Sequence, residues 1–354
     1  MEKYLNENIK KIVPYKLENL NYDIKLDANE NPYSIPEILP NEVKKRLETR
    51  VFSELWNHYP DPEAKELRKK LAEKNGLDIE NIVIGNGSDE LLLYVFMAYL
   101  NSKKQIVVHP PCFSMYGIMA GEFNAPVLEV PLTEKEFNLD MPLMEAAIND
   151  EKSAVTVITY PNNPTGQLFK REDVEKLIKC AKGIVIVDEA YFEFAGDTFI
   201  DKINEYKNLI VMRTFSKAYG IAGLRVGYLA ACSEITDHIN RVRLPYNVNK
   251  LSQVIASEMM DYEKYFHNMI KEILSERDRI FKELSNIKEI ELYKSDSNSI
   301  FFKTEKSKEI FDKMLEEKIL IRKFKGKYEK YLRISIGKKE ENNKVLSIIK
   351  DVFN

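Results

Sequence analysis

Cysteine is scarce in this chain of 354 residues, and proline is absent from its last 109 residues. The three cysteines, Cys112, Cys180 and Cys232, are widely separated and have no CxxC spacing. An odd, scattered set of this kind argues against a disulfide framework and against a zinc site, and suits a reducing compartment. We therefore expect no metal centre.

Long apolar runs and a strong charge of one sign are also missing. The longest apolar run, near 91–100, is too short to span a bilayer. The first residues are polar and include acids, which is not the pattern of a signal peptide. The formal net charge of −3 shows no excess of basic residues of the kind that binds nucleic acid. These features predict a cytoplasmic protein with neither a membrane nor a nucleic acid as partner.

Short β-branched runs alternate with amphipathic stretches from about residue 82 onward. This alternation predicts an α/β domain with a mostly parallel sheet. Ligands of such sheets bind beyond the carboxyl ends of the strands, so the residues just after each run are the candidates for function. The predicted strands are 82–84, 105–109, 127–130, 154–159, 184–188, 209–212 and 226–230.

A change in composition marks a domain boundary near Pro245, the last proline. The tail beyond it has helical periodicity over 251–284 and 309–317, with strand-like runs at 299–302 and 331–336. This pattern indicates a smaller α+β domain. We expect a mostly irregular N-terminal segment (1–40) that joins the small domain, a large domain (41–247) and the small C-terminal domain (248–354).

Two charged residues lie at the end of a predicted strand of the large domain or shortly after one. Lys217 lies among small and hydroxylated residues, where its amine could form an imine with the aldehyde of a cofactor. Asp188 ends the run 184–188, where its carboxylate could pair with a pyridine nitrogen and keep it protonated. A surface lysine and a helix N-cap are the alternatives for these two residues.

Two turns add possible cofactor contacts. Asn163, in the turn 160–166, could donate a hydrogen bond to a phenolic oxygen on the ring, although a plain turn would also explain this segment. The segment Gly87-Ser88-Asp89 lies between a strand and a helix, where backbone amides can bind a phosphate. Position 90 is Glu rather than the third glycine of a dinucleotide fingerprint, which disfavours a nicotinamide enzyme.

Taken together, these motifs resemble fold-type-I aminotransferases dependent on pyridoxal 5′-phosphate (PLP), in order and spacing, over nearly the whole chain. The resemblance implies that fold: a large domain with a mostly parallel sheet and a smaller α+β domain. It also implies that Lys217 carries PLP as a Schiff base and shuttles a proton, with Asp188 and Tyr191 completing the catalytic set. The residues that carry the resemblance are Gly87, Ser88, Asp89, Asn163, Asp188, Tyr191, Ser216, Lys217 and Arg225.

The same resemblance implies further cofactor contacts and a homodimer. Thr214, Ser216 and Arg225 would hold the cofactor phosphate, and Tyr59 would reach the phosphate of a neighbouring subunit. Phe113 would stack on the pyridine ring, unless it is simply a core aromatic.

Three segments, 26–32, 244–249 and 332–337, resemble the histidinol-phosphate aminotransferase branch. That branch transfers an amino group between L-histidinol phosphate and 2-oxoglutarate or glutamate in a ping-pong cycle of histidine biosynthesis. Glu30 could face the imidazole or belong to a plain turn, and Arg322 could bind phosphate or be a solvated charge. The implied substrate-binding residues are Glu30, Asn31, Asn163, Arg322 and Arg333.

Three other functions stay open at this point. Threonine-phosphate decarboxylase shares most of these motifs, but an apolar residue is typical where this chain has Glu30. An aromatic amino-acid aminotransferase is compatible with the same site, because pocket shape cannot be ranked from one sequence. A PLP-sensing transcription regulator is disfavoured, since the cofactor motifs begin within the first hundred residues.

Overall fold

The computed structural model describes residues 1–10, 12 and 21–354. Part of the predicted N-terminal segment, residues 11 and 13–20, lies outside the described residues. Two β-sheets, each packed against helices, organise the part of the chain that is described. The strands are β1 (Ile24–Leu26), β2 (Ile82–Gly85), β3 (Gln105–Val108), β4 (Val127–Glu129), β5 (Ser153–Thr159), β6 (Ile184–Asp188), β7 (Leu209–Thr214), β8 (Gly227–Ala231), β9 (Glu291–Leu292), β10 (Ser299–Lys303), β11 (Ile319–Lys323) and β12 (Tyr331–Ser335).

The α-helices range from a single turn to 22 residues. They are α1 (Glu7–Lys10), α2 (Ile35–Ile38), α3 (Asn41–Phe52), α4 (Lys65–Asn75), α5 (Ser88–Tyr99), α6 (Met115–Glu122), α7 (Met141–Ile148), α8 (Arg171–Cys180), α9 (Phe192–Ala195), α10 (Ser233–Val242), α11 (Lys250–Met260), α12 (Glu263–Leu284), α13 (Ser307–Glu316) and α14 (Lys339–Phe353).

The large sheet has the strand order β2-β8-β7-β6-β5-β3-β4. Strands β7, β6, β5, β3 and β4 are parallel to one another, whereas β8 is antiparallel to both β7 and β2. Strand β7 is buried along its whole length, as is nearly all of β5 and β6. Burial on both faces explains why these strands are continuous β-branched runs rather than alternating ones.

The small sheet has the order β1-β11-β12-β10-β9 and joins the two ends of the chain. Strand β1 pairs in parallel with β11, with Ile24 opposite Ile319. We did not expect β1, because three residues are too few to show an alternating pattern. Strand β11 was also missed, and the periodic stretch 251–284 is divided into α11 and α12 at Asp261 and Tyr262.

The strand positions of the large domain agree closely with expectation. The run 184–188 is β6 residue for residue, and the other predicted strands differ from the observed ones by one or two residues at their ends. Among the residues that the structure describes, none of the helices combines the length and apolarity that a membrane crossing requires.

Candidate active site

Three adjacent parallel strands direct the main polar residues to one edge of the large sheet. In the sheet register, Thr159 at the end of β5 lies opposite Asp188 at the end of β6, and Asp188 lies opposite Met212 on β7. Asn163 follows β5 and Lys217 follows β7. The carboxyl ends of these strands therefore bring Asn163, Asp188 and Lys217 to the same side of the domain, where α/β proteins bind ligands.

Asp188 is a buried carboxylate with only 8% of its surface exposed. Its Oδ2 accepts a hydrogen bond from the Tyr116 hydroxyl at 2.6 Å, and its Oδ1 accepts one from the backbone N–H of Ala190 at 3.1 Å. Burial raises the pKa of Asp188 to about 6, while both hydrogen bonds oppose this rise. A carboxylate held in this way can pair with a cationic ring nitrogen.

Tyr116 is a functional candidate that the sequence reasoning missed. It is fully buried in α6, and its hydroxyl also lies 3.1 Å from Oγ1 of Thr159. The available signal was a tyrosine in a mostly apolar helix, since a buried tyrosine hydroxyl requires a partner. That partner is Asp188, so Tyr116 fixes the orientation of the carboxylate.

Replacing Tyr116 with phenylalanine is expected to shift the pH dependence of catalysis. The hydrogen bond from Tyr116 lowers the pKa of Asp188 against the effect of burial. Without that bond the carboxyl keeps its proton to higher pH, so the acid limb of kcat should move up by roughly half to one pH unit. We expect kcat near neutral pH to fall roughly ten-fold. A profile of kcat against pH checks this, and an unchanged acid limb would contradict it.

Lys217 lies in the loop after β7 with its amine inside the protein. Its Nζ donates a hydrogen bond to the backbone oxygen of Ala28 at 2.7 Å and lies 5.9 Å from the centre of the Tyr191 ring. Burial, assisted by the positive charge of Arg333, lowers the pKa of Lys217 to about 8. Roughly a tenth of this amine is therefore neutral, and thus nucleophilic, at pH 7.

The Tyr191 hydroxyl accepts hydrogen bonds from two side-chain amides. Both Asn163 Nδ2 and Asn29 Nδ2 donate hydrogen bonds to it, each at 3.2 Å. Asn163 is oriented by Arg333, whose Nη1 donates to Asn163 Oδ1 at 2.5 Å. Tyr191 and Asn163 were expected at this site, but Asn29 was not, because Asn-Glu-Asn-Pro also has the composition of a simple turn.

Arg225, Ser216 and Thr214 lie near the N-terminus of α5, which is capped by Gly87. Gly87 has φ +84°, and a Cβ at this position would lie 2.5 Å from Nη2 of Arg225. Arg225 Nη1 donates to Ser216 Oγ at 3.4 Å, and Nη2 donates to Asp89 Oδ2 at 3.0 Å. Ser216 Oγ in turn accepts a hydrogen bond from Thr214 Oγ1 at 3.0 Å.

These groups have the properties of a phosphate site. The amides of the first helical turn, beginning with Ser88, have no acceptor within the helix, and the helix dipole favours an anion there. Arg225 supplies a guanidinium for charge-assisted hydrogen bonds. The φ of +84° at Gly87, which L side chains rarely adopt, explains why this position requires glycine.

The two aromatic residues predicted to contact the cofactor have different surroundings. Phe113 is half-buried and packs edge-on against Tyr116, with their ring centres 5.5 Å apart. Tyr59 is 78% exposed and stacks on Tyr246 at 4.6 Å. The role expected of Tyr59 concerns a second subunit, so it stays a prediction.

Arg322 and Arg333 are directly opposite each other on the antiparallel strands β11 and β12. Residues in this relation project from the same face of a sheet, and like charges there repel. Arg333 is buried and also donates to the backbone oxygen of Asp27. An anion beside the two guanidinium groups would relieve their repulsion, so this pair is suited to a phosphate or carboxylate.

The N-terminal segment completes the rim of the site. Glu30 forms an ion pair with Lys25, which also lies 3.1 Å from Asp27. The amide of Asn31 donates to the backbone oxygen of Ala218 at 2.9 Å, which ties this segment to the loop that carries Lys217. Glu30, Lys25 and Asn31 line a cavity of about 370 Å³ together with Ser216 and Gly220.

The chemistry of these groups fits pyridoxal phosphate. A nucleophilic lysine, a buried carboxylate for the ring nitrogen and a candidate phosphate site at the N-terminus of a helix are all present. Within residues 1–10, 12 and 21–354, no cluster of three or more His, Cys, Asp or Glu side chains is placed to hold a metal ion.

Comparison with known sequences identifies one family. The sequence pattern of "Aminotransferase class I and II" matches residues 22–349. A histidinol-phosphate aminotransferase of Thermoanaerobacter pseudethanolicus is 40% identical over 356 residues, covering 100% of this chain and 99% of the relative. The corresponding enzyme of Pyrococcus furiosus is 39% identical, covering 98% of this chain and 97% of the relative.

Solved structures with the same fold include enzymes of more than one activity. Histidinol-phosphate aminotransferase from Clostridium acetobutylicum superimposes with a TM-score of 0.84 at 26% identity (93% of this chain, 98% of the other). The enzyme of that name from Sinorhizobium meliloti, in complex with pyridoxal-5′-phosphate, gives 0.88 at 21% identity (99% and 98%). L-threonine-O-3-phosphate decarboxylase from Porphyromonas gingivalis gives 0.79 at 23% identity (93% and 99%).

Proposed function

Because this chain belongs to the class I and II aminotransferases, we propose that it transfers an amino group between L-histidinol phosphate and 2-oxoglutarate, with pyridoxal 5′-phosphate as its cofactor. Full-length relatives that share about 40% of the sequence bear this activity in their names. The observation in the structure that best supports the substrate is the cross-strand pair Arg322 and Arg333 at the rim of the site. This reaction would serve histidine biosynthesis.

The residues around the site would each have a separate role in such a reaction. Bound pyridoxal phosphate supplies a conjugated ring that stabilises negative charge on the substrate α-carbon. Asp188 holds a proton on the ring nitrogen by supplying the opposite charge. Lys217 would hold the cofactor through its amine and, when that amine is free, would take the α-proton, for which a pKa of about 8 is favourable. Tyr191 and Asn163 orient the phenolic side of the ring.

The two arginines would serve both halves of the cycle. The phosphate of histidinol phosphate and a carboxylate of glutamate each present two oxygen atoms that a guanidinium can bind through two hydrogen bonds. One site can therefore accept both substrates in turn, as a ping-pong cycle requires. Glu30 has 42% of its side chain exposed at the rim, where it can meet the imidazole of the substrate.

Replacing Arg322 with alanine tests the anion site. We expect KM for histidinol phosphate to rise roughly 10- to 100-fold, because one charge-assisted interaction with the phosphate is lost. The visible absorbance of the bound cofactor should not change. Lys323→Ala is the matched control, since Lys323 follows Arg322 on β11 and projects from the opposite face of the strand. An equal rise in KM for both variants would contradict the assignment.

The substrate itself is tested by mixing the PLP-loaded protein with L-histidinol phosphate, L-phenylalanine or L-threonine phosphate. Loss of the visible band with histidinol phosphate, reversed by 2-oxoglutarate, is the expected result. Faster loss with phenylalanine would replace the assignment with an aromatic amino-acid aminotransferase. Release of carbon dioxide from threonine phosphate would replace it with a decarboxylase.

We also infer that the enzyme is a homodimer that works in the cytoplasm. Large apolar side chains are exposed in two neighbouring stretches, which are linked by the Tyr59–Tyr246 stack and by a hydrogen bond of 2.7 Å from Lys250 to the Leu55 carbonyl. Such surfaces commonly mark protein interfaces. The three cysteines are unpaired, as suits a reducing compartment. The exposed residues are Phe52, Leu55, Trp56, Tyr59, Leu244 and Tyr246.

Sedimentation equilibrium of the loaded protein tests the homodimer. The expected mass is twice the 41.3 kDa of the chain. Trp56→Glu should shift the protein toward the monomer, because a charge would be placed within the proposed interface. A monomer at all concentrations of the unmodified protein would refute the homodimer.

A further inference from the structure

Asn29 links the small-domain sheet to the Tyr191 hydroxyl. It is 2% exposed, and its φ of +52° lies in the left-handed region that asparagine tolerates better than most residues. Its backbone N–H donates to Ser335 Oγ at 2.8 Å, and the same hydroxyl donates to Asn29 Oδ1 at 3.1 Å. The amide of Asn298 donates to the Asn29 carbonyl at 3.1 Å. All of the polar groups of Asn29 therefore have partners.

Most of these partners belong to the C-terminal part of the chain. Ser335 is the last residue of β12, and Asn298 directly precedes β10. Only the side-chain Nδ2 of Asn29 faces the other way, toward Tyr191 on the large domain. The position of this single amide group is thus set by the small-domain sheet.

The two amide donors determine which further hydrogen bond the Tyr191 hydroxyl can form. A phenol has one O–H donor and two acceptor lone pairs. Asn29 and Asn163 occupy both lone pairs, so the hydroxyl proton is available for a third group. Burial raises the pKa of Tyr191, and the hydrogen bond from Asn29 opposes this rise. Asn29 therefore makes Tyr191 a better hydrogen-bond donor.

We propose that Asn29 is a positioning residue that orients the Tyr191 hydroxyl toward the phenolic oxygen of the cofactor and makes this orientation depend on the docking of the small-domain sheet. This role rests on the proposed function only in requiring bound pyridoxal phosphate. It does not depend on which amine is the substrate. When the small domain is docked through Ser335 and Asn298, Tyr191 receives both of its donors.

Asn29→Gly tests the proposal with little backbone strain, because glycine adopts a φ of +52° readily. The measurement is the pH midpoint of the visible absorbance band in the PLP-loaded variant. A weaker bond from Tyr191 leaves more negative charge on the phenolic oxygen, beside the Lys217 nitrogen. That nitrogen then holds its proton more tightly, so the midpoint should rise by roughly half to one pH unit.

Asn124→Gly is the matched control. Asn124 has a nearly identical φ of +54° and is exposed. The same substitution there should leave the midpoint unchanged. An Asn29→Gly protein with the midpoint of the unmodified enzyme would overturn the proposal.

The double variant with Tyr191→Phe separates positioning from a general structural effect. Tyr191→Phe should raise the midpoint by itself, and adding Asn29→Gly should raise it no further, because Asn29 acts through the missing hydroxyl. Additive shifts would overturn the proposal.

Ser335→Ala removes the hydrogen bonds that hold Asn29 from the small-domain side. It should produce a smaller rise of the midpoint in the same direction, so an unchanged midpoint in this variant would also count against the proposal. Since the readout requires only pyridoxal phosphate, failure of histidinol phosphate as a substrate would leave this test intact.

Discussion

Lys217→Ala is expected to reduce amino transfer by at least about 10⁴-fold, because one side chain supplies both the covalent attachment of the cofactor and the movement of the α-proton. The visible absorbance that the cofactor gives when joined to Lys217 should disappear. The fold should persist, since the Lys217 amine makes one hydrogen bond, to Ala28, in this structure. Rates in single-turnover mixing and the absorbance spectrum of the purified variant measure both effects.

Lys135→Ala is the control for this experiment, because Lys135 is exposed in a loop. It should keep the rate and spectrum of the unmodified enzyme. A Lys217→Ala protein that retains the visible band would mean that another lysine carries the cofactor. That result would require a new assignment of the whole site.

Asp188→Asn is expected to produce the second-largest loss of activity. The amide has nearly the same shape as the carboxylate but carries no charge, so the proton on the ring nitrogen loses its partner. Removing one member of a buried ion pair costs about 3–5 kcal/mol, which corresponds to roughly 10²- to 10⁴-fold in kcat/KM. Steady-state kinetics measure this loss.

Asp188→Glu serves as the conservative comparison, because it keeps the charge but displaces it by one methylene group. It should retain more activity than Asp188→Asn, and its visible spectrum should be closer to that of the unmodified enzyme. If the two variants lost activity equally, geometry rather than charge would be the contribution of this residue.

The sequence predicted the large domain better than the small one for a physical reason. Strands such as β6 are buried on both faces, so their β-branched runs are visible directly in the sequence. Strand β1 has three residues and is stabilised by β11, which lies near the other end of the chain. No local pattern reveals a pairing of that kind, because it is stabilised by tertiary contacts rather than by propensity.

In the candidate site, too, some residues could be selected from the sequence and others could not. Asp188 ends a strand, and Lys217 and Asn163 follow strands, so the general rule for α/β sheets was enough to select them. Tyr116 and Asn29 are defined by hydrogen bonds to residues far away in sequence, namely Asp188 and Tyr191. Such partners become visible only when the chain is folded, which is why sequence reasoning missed both residues.

The parallel pairing of β1 with β11 also determines when this enzyme becomes complete during its synthesis. Ile24 is made early but cannot pair until the ribosome has released Ile319. At the usual rate of translation of roughly 5–20 residues per second, that interval lasts on the order of tens of seconds. The large domain can fold in this time, whereas the N-terminal segment with Asn29 must wait for the last strands. The active site is therefore assembled at the end of translation. A chain that stops before β11 would contain the large domain, but its N-terminal segment would lack the strand that holds it at the rim of the site.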